Sequence, residues 1–140
     1  MQSTIHYGGN YRFTADNHRG HITQFDSNAE DADNAAPTPM EVMMQTVAGC
    51  TGIDIVLVMK KKRKTIKDFK IEISSERRDE HPRIFTKMNL HYILDSPDAT
   101  KADFKRAIEL SQEKYCGASA VIKESGAEVN WTFELLPQTS

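Results

Sequence analysis

An α+β fold in the order β-β-β-α-β-β-α-α-β, built around one long helix, is predicted by three features of the sequence. Three short strand-like stretches separated by turn chemistry open the chain. A single long apolar segment, Val42 to Met59, carries a strong helix start. Beyond it, stretches of strict apolar alternation flank a segment of helical spacing.

The opening stretches "TIHYGG", "NYRFTAD" and "HITQFDS" are divided by Gly8-Gly9-Asn10 and by Asp16-Asn17-His18-Arg19-Gly20, which reads as two hairpin connections. The acidic, unpatterned "NAEDADNAAP" then reads as an exposed loop. In Thr38-Pro39-Met40-Glu41 the threonine can cap the Glu41 amide, proline suits the first helical position and Glu41 can complete a capping box. The helix is expected to run to about Lys62, a length of roughly 36 Å at about 1.5 Å per residue. Apolar residues fall on all its faces, and a helix apolar all round is normally enclosed. One sheet of a small monomer covers only one side, so a homodimer is expected in which the second copy supplies part of the cover.

Farther on, "DFKIEIS" alternates Phe69, Ile71 and Ile73, and "TKMNLHYIL" alternates Met88, Leu90, Tyr92 and Leu94, giving two half-buried strands joined by the charged loop "SERRDEHPRIF". Phe104, Ala107, Ile108, Ser111 and Tyr115 recur at helical spacing behind Thr100 as N-cap. Gly117 places Cys116 at a helix end or break. "ASAVIKES" reads as a short helix, and "EVNWTFELL" as a last strand facing inward through Val129, Trp131, Phe133 and Leu135.

The 140 residues, 39% hydrophobic and 27% charged with a formal net charge of −2, fit one domain over 1–140 with one core. The charge balance argues against a nucleic-acid binder. The apolar segment is interrupted by Gln45, Thr46, Gly49, Thr51 and Asp54, which argues against a membrane span. The start "MQSTIHYGGNYRF" has no charged region followed by an apolar one, so a cytoplasmic protein is expected. The basic run Lys60 to Lys64 reads as a solvated helix end that offsets the macrodipole. The five histidines form no HxxxH or HExxH grouping and the cysteines no CxxC pair, so no metal and no bound cofactor are expected.

The two cysteines, Cys50 and Cys116, carry the functional question. Read from the residues alone, each is either an ordinary small buried side chain or one of a peroxidatic pair. In the second case Cys50 attacks a peroxide oxygen and Cys116 condenses with the sulfenic acid. "PTPMEVMMQTVAGCTGIDI" resembles the first signature of the OsmC/Ohr superfamily, and "RAIELSQEKYCGASAVIKESGAEVNW" is similar to its second. The likeness covers nearly the whole chain and implies an intertwined OsmC-like α+β homodimer with a long buried central helix.

It further implies a thiol-dependent peroxidase acting on organic hydroperoxides or hydrogen peroxide, with Cys50 as peroxidatic and Cys116 as resolving residue, reduced by an external thiol or a dihydrolipoyl group. A redox-sensing or small-molecule-binding dimer on the same fold is the alternative. In the organic hydroperoxide branch an arginine and a glutamate flank the nucleophile. Aligned here, the glutamate falls on Met40 with Glu41 beside it. The turn "NHRGH" puts His18 at the arginine position with Arg19 beside it, and Arg19 is the expected activator because it is always charged. Nine residues at about 100° each turn Glu41 away from Cys50, which favours its capping role.

Overall fold

A computed structural model describes residues 1–138, which form two compact units, one over 1–43 and one from Met44 onward. In the first, β1 (Thr4–Tyr7), β2 (Phe13–Asp16) and β3 (Ile22–Phe25) make an antiparallel meander in the order β1-β2-β3. The β1–β2 turn places Gly9 at φ 99° and Asn10 at φ 49°, left-handed backbone that glycine and asparagine tolerate best. The loop after β3 is largely exposed, as expected, and side-chain contacts tie it down. Tyr11 donates its hydroxyl to both Asp31 carboxylate oxygens at 3.0 Å, Arg12 pairs with Asp33 at 3.1 Å, and the buried Asp26 carboxylate accepts the amides of Ala35 at 2.8 Å and Ser27 at 2.7 Å. Those two amides, Ala35 first, lower the Asp26 pKa.

The helix α1 spans Pro39–Lys61, one residue short of the expected end. Its start is the capping box: the Thr38 amide donates to Glu41 Oε1 at 3.0 Å and the Glu41 amide to Thr38 Oγ1 at 3.3 Å. Its end is set by Arg63 at φ 57°, where the Lys64 amide reaches back to the Met59 carbonyl at 2.9 Å. Lys62 and Lys64, from the basic run, pair with Asp103 at 3.3 and 3.7 Å, in keeping with a solvated helix end.

In the second unit β4 (Asp68–Arg77) pairs antiparallel with β5 (Phe85–Asp95), which pairs parallel with β6 (Glu128–Leu135). Both β4 and β5 outrun their expected limits, so the charged connection shrinks to 78–84. The alternation of β4 runs to Ser75 and Glu76, after which the register shifts and Arg77 extends the strand, exposed like Glu76. Between β5 and β6 lie α2 (Lys101–Leu110) and α3 (Gly117–Glu124), joined by a π-helical turn over Ser111–Tyr115. The inner faces meet in a row of edge-on rings: Phe104 stands 5.9 Å from Phe69 and 5.7 Å from Phe133, and Trp131 lies 6.4 Å from Tyr92.

One expectation needs correction. Tyr115, expected on the buried stripe of α2 with Phe104, Ala107, Ile108 and Ser111, is 54% exposed. The π turn takes more residues per turn than an α-helix, so position 115 falls off the α-helical repeat and faces outward. Within one chain α1 is covered on one side only, in line with the expected limit of a single sheet. Its buried residues are Val47, Thr51, Ile55 and Met59, a single stripe, while Ile53 is 73% and Leu57 52% exposed.

Thr100 caps α2 as the sequence implies: the Asp103 amide donates to Thr100 Oγ1 at 3.1 Å and the Thr100 amide to Asp103 Oδ2 at 3.0 Å. The Thr100 amide and hydroxyl, with the Lys62 ammonium, lower the Asp103 pKa from 3.8 to about 2. A depressed folded value means that the carboxylate's contribution is complete above the unfolded pKa and is lost as pH falls through the folded one. Asp103→Asn is therefore expected to cost about 1 kcal/mol at neutral pH. In urea melts the gap to the parent protein should close between about pH 4 and pH 2.

Candidate active site

Cys50 lies at mid-length of α1 and Asp54 one helical turn later, so both side chains leave the same face. Cys116 reaches them from the break between the π turn and α3. Its amide donates to the Ser111 carbonyl at 2.8 Å, closing the π turn, and its backbone then becomes extended at φ −77°, ψ 101°. The Cys50 and Cys116 sulfurs and an Asp54 carboxylate oxygen all lie within 4.8 Å of one another. Both cysteines are free thiols; Cys50 is half-buried and Cys116 only 4% exposed.

The electrostatics of Cys116 are those of a buried thiol. Burial is the largest influence and raises its pKa, and the adjacent Cys50 adds to the rise. The Ser119 amide, which donates to Cys116 Sγ at 3.3 Å, and the neighbouring Ser119 hydroxyl act in the opposite direction. That hydroxyl is fully buried and meets no other partner at hydrogen-bonding geometry among the described residues.

Behind the sulfurs runs a buried polar chain. Ser111 donates its hydroxyl to Asp54 Oδ2 at 2.9 Å and lies 2.7 Å from Thr51 Oγ1, which in turn is 3.0 Å from the Tyr92 hydroxyl. Gln112 Nε2 donates to that hydroxyl at 2.8 Å, and the Lys123 ammonium reaches the Gln112 carbonyl at 2.7 Å. Burial raises the Tyr92 pKa, so the phenol keeps its proton and can donate. This chain fixes the rotation of the Asp54 carboxylate next to the thiols.

Of the residues singled out in the sequence, Cys50 and Cys116 are brought together. Glu41 is held in the α1 capping box, with its pKa lowered chiefly by the Thr38 amide. Arg19 belongs to the first unit, exposed in the β2–β3 turn. Asp54, Thr51, Tyr92, Ser111 and Gln112 were not singled out as site residues. Only Asp54 had a legible signal, its spacing of one turn from Cys50.

A long helix with a mid-helix thiol over a mixed sheet, met by a second thiol at the head of a short helix, defines the OsmC-like class. The chain belongs to that family: the model of OsmC-like proteins matches residues 31–132. Protein YhfA of Escherichia coli K12 is 35% identical over 136 residues, covering 97% of this chain and 98% of YhfA. Among solved structures, the OsmC-like protein of Mycoplasma pneumoniae superposes with a TM-score of 0.82 at 17% identity, over 97% of this chain and 96% of the other. The organic hydroperoxide resistance protein OhrB of Bacillus subtilis does so with a TM-score of 0.60 at 17% identity, over 97% and 98%. At such identities the two structures share the fold.

Proposed function

We propose that this protein is a cytoplasmic, thiol-dependent peroxidase that reduces organic hydroperoxides or hydrogen peroxide through Cys50 and Cys116. It works as a homodimer and is restored by an external thiol of the dihydrolipoyl class. The observation that carries this reading is the pair of reduced sulfurs within 4.8 Å, one half-exposed and one buried. The relationship to organic hydroperoxide resistance proteins of the same fold supports the choice of substrate class.

The half-exposed sulfur is the one a peroxide can reach. The Cys50 thiolate attacks the terminal peroxide oxygen, the O–O bond breaks, and the leaving alkoxide takes a proton to become an alcohol, or water when the substrate is hydrogen peroxide. The Asp54 carboxylate is close enough to accept the proton lost from the Cys50 thiol. The resulting sulfenic acid condenses with Cys116, releasing water and closing a disulfide. The sulfurs must shorten from at most 4.8 Å to about 2.05 Å, a change within reach of side-chain rotation and a small backbone shift. Two external thiol groups then reduce the disulfide and are themselves oxidised.

Titration of free thiols after one equivalent of cumene hydroperoxide is expected to show loss of both thiols per chain, restored by dihydrolipoamide. Intact thiols would overturn the reading. Loss of both without sustained peroxide consumption in excess reductant would assign a redox sensor instead.

A further inference from the structure

We propose that the reduced protein binds one thiophilic divalent cation of the zinc type per chain, held by Cys50, Asp54 and Cys116. The inference goes beyond the peroxidase reading and does not rest on it. The two sulfurs and the carboxylate oxygen lie within 4.8 Å of one another, and a tetrahedral zinc with bonds of about 2.3 Å to sulfur and about 2.0 Å to oxygen needs donor separations of about 3.4 to 3.8 Å. The three donors thus have to close by little more than about 1 Å. Two of them are already fixed relative to each other, one turn apart on α1, the arrangement by which a helix offers two ligands from one face.

The surroundings independently resemble the outer shell of a metal site. Ser111 donates to Asp54 Oδ2 at 2.9 Å and is itself held by Thr51 at 2.7 Å, which orients the carboxylate. On the other side the Ser119 amide donates to Cys116 Sγ at 3.3 Å, and the buried Ser119 hydroxyl beside it lacks another partner among the described residues. The Ser119 donors thus face the Cys116 sulfur, as outer-shell hydrogen-bond donors face a metal-bound ligand. Binding replaces two S–H protons, released to solvent, by two metal–sulfur bonds. Three protein donors leave a fourth position for water. A metal so held occupies the sulfur lone pairs, so metal loading and disulfide formation exclude each other.

Cobalt(II) added to the fully reduced protein under argon is the test, with zinc(II) as competitor. One equivalent per chain is expected to give thiolate-to-cobalt charge-transfer absorption that zinc abolishes. Cys50→Ser and Cys116→Ser should each lose most of that absorption. Asp54→Asn should weaken binding by at least about tenfold, and Ser111→Ala by about 10- to 100-fold while keeping the spectrum. Because a variant can fail to fold, the parent protein supplies a second measurement: zinc should slow alkylation of Cys50 and Cys116 together, as read by mass spectrometry of peptides. Absence of charge transfer, unchanged affinity in Asp54→Asn, or equal alkylation with and without zinc would overturn the proposal. A protein with no peroxidase activity is still expected to pass all three.

Discussion

Cys50→Ser is expected to reduce peroxide consumption to the uncatalysed background, a loss of at least about 10³-fold, because the nucleophile cannot be replaced by any neighbour. Cys116 is the only other thiol, and it is buried with a raised pKa, so it does not take over. Cys116→Ser should behave differently. The first attack proceeds, but the sulfenic acid at Cys50 has no partner in its own chain. It should be trapped by a 1,3-diketone probe within one turnover, and excess peroxide should drive it on to sulfinic acid. Stopped assays with cumene hydroperoxide, followed by mass spectrometry of the Cys50 peptide, read both outcomes. A Cys50→Ser protein that consumes peroxide at the parent rate removes the mechanism. A Cys116→Ser protein that cycles normally without the diketone adduct removes the resolving role.

The strands and helices were legible because each rests on short-range pattern: alternation in β4, β5 and β6 and the capping boxes at Thr38 and Thr100. The residues alone left the two thiols open, and only the resemblance of the segments around them implied a pair. What was not legible depends on contacts between distant elements. Thr51, Tyr92, Ser111 and Gln112 carry no shared spacing, yet α1, β5 and the π turn bring their polar atoms into one chain of hydrogen bonds. Thr51 and Asp54 read in the sequence only as interruptions of an apolar run; in the structure Thr51 lies on its buried stripe and the half-buried Asp54 lies beside the two sulfurs. The π turn was equally hidden, since an i to i−5 bond leaves no periodic trace in five residues. Its consequence is the outward Tyr115 and a Cys116 free to reach α1. Histidine and CxxC patterns give no hint of the cluster of Cys50, Asp54 and Cys116, whose last member comes from a distant part of the chain.

A double substitution on the bare side of α1, Ile53→Glu with Leu57→Glu, is expected to turn a dimer into a monomer of 15.8 kDa without unfolding the chain. Ile53 is 73% and Leu57 52% exposed in the single chain, and Ile53 lines an open apolar groove of about 440 Å³ with Gly49, Gly52, Val56, Phe69 and Ile71 among others. Gly52 lets the helix approach the sheet closely, since a Cβ there would meet Ile71 Cδ1 at 3.2 Å. An apolar surface of this kind is normally a contact surface. The two hypotheses separate sharply by energy. If the chain is monomeric, carboxylates at such exposed positions change stability by no more than about 0.5 kcal/mol and leave the mass unchanged. If a second copy covers this face, each dimer must bury four uncompensated charges around its two-fold axis, at several kcal/mol apiece, and association fails. Sedimentation equilibrium of the parent and double variant reads the difference. A parent protein sedimenting as a monomer refutes the homodimer, and a variant still dimeric moves the interface off this helix face.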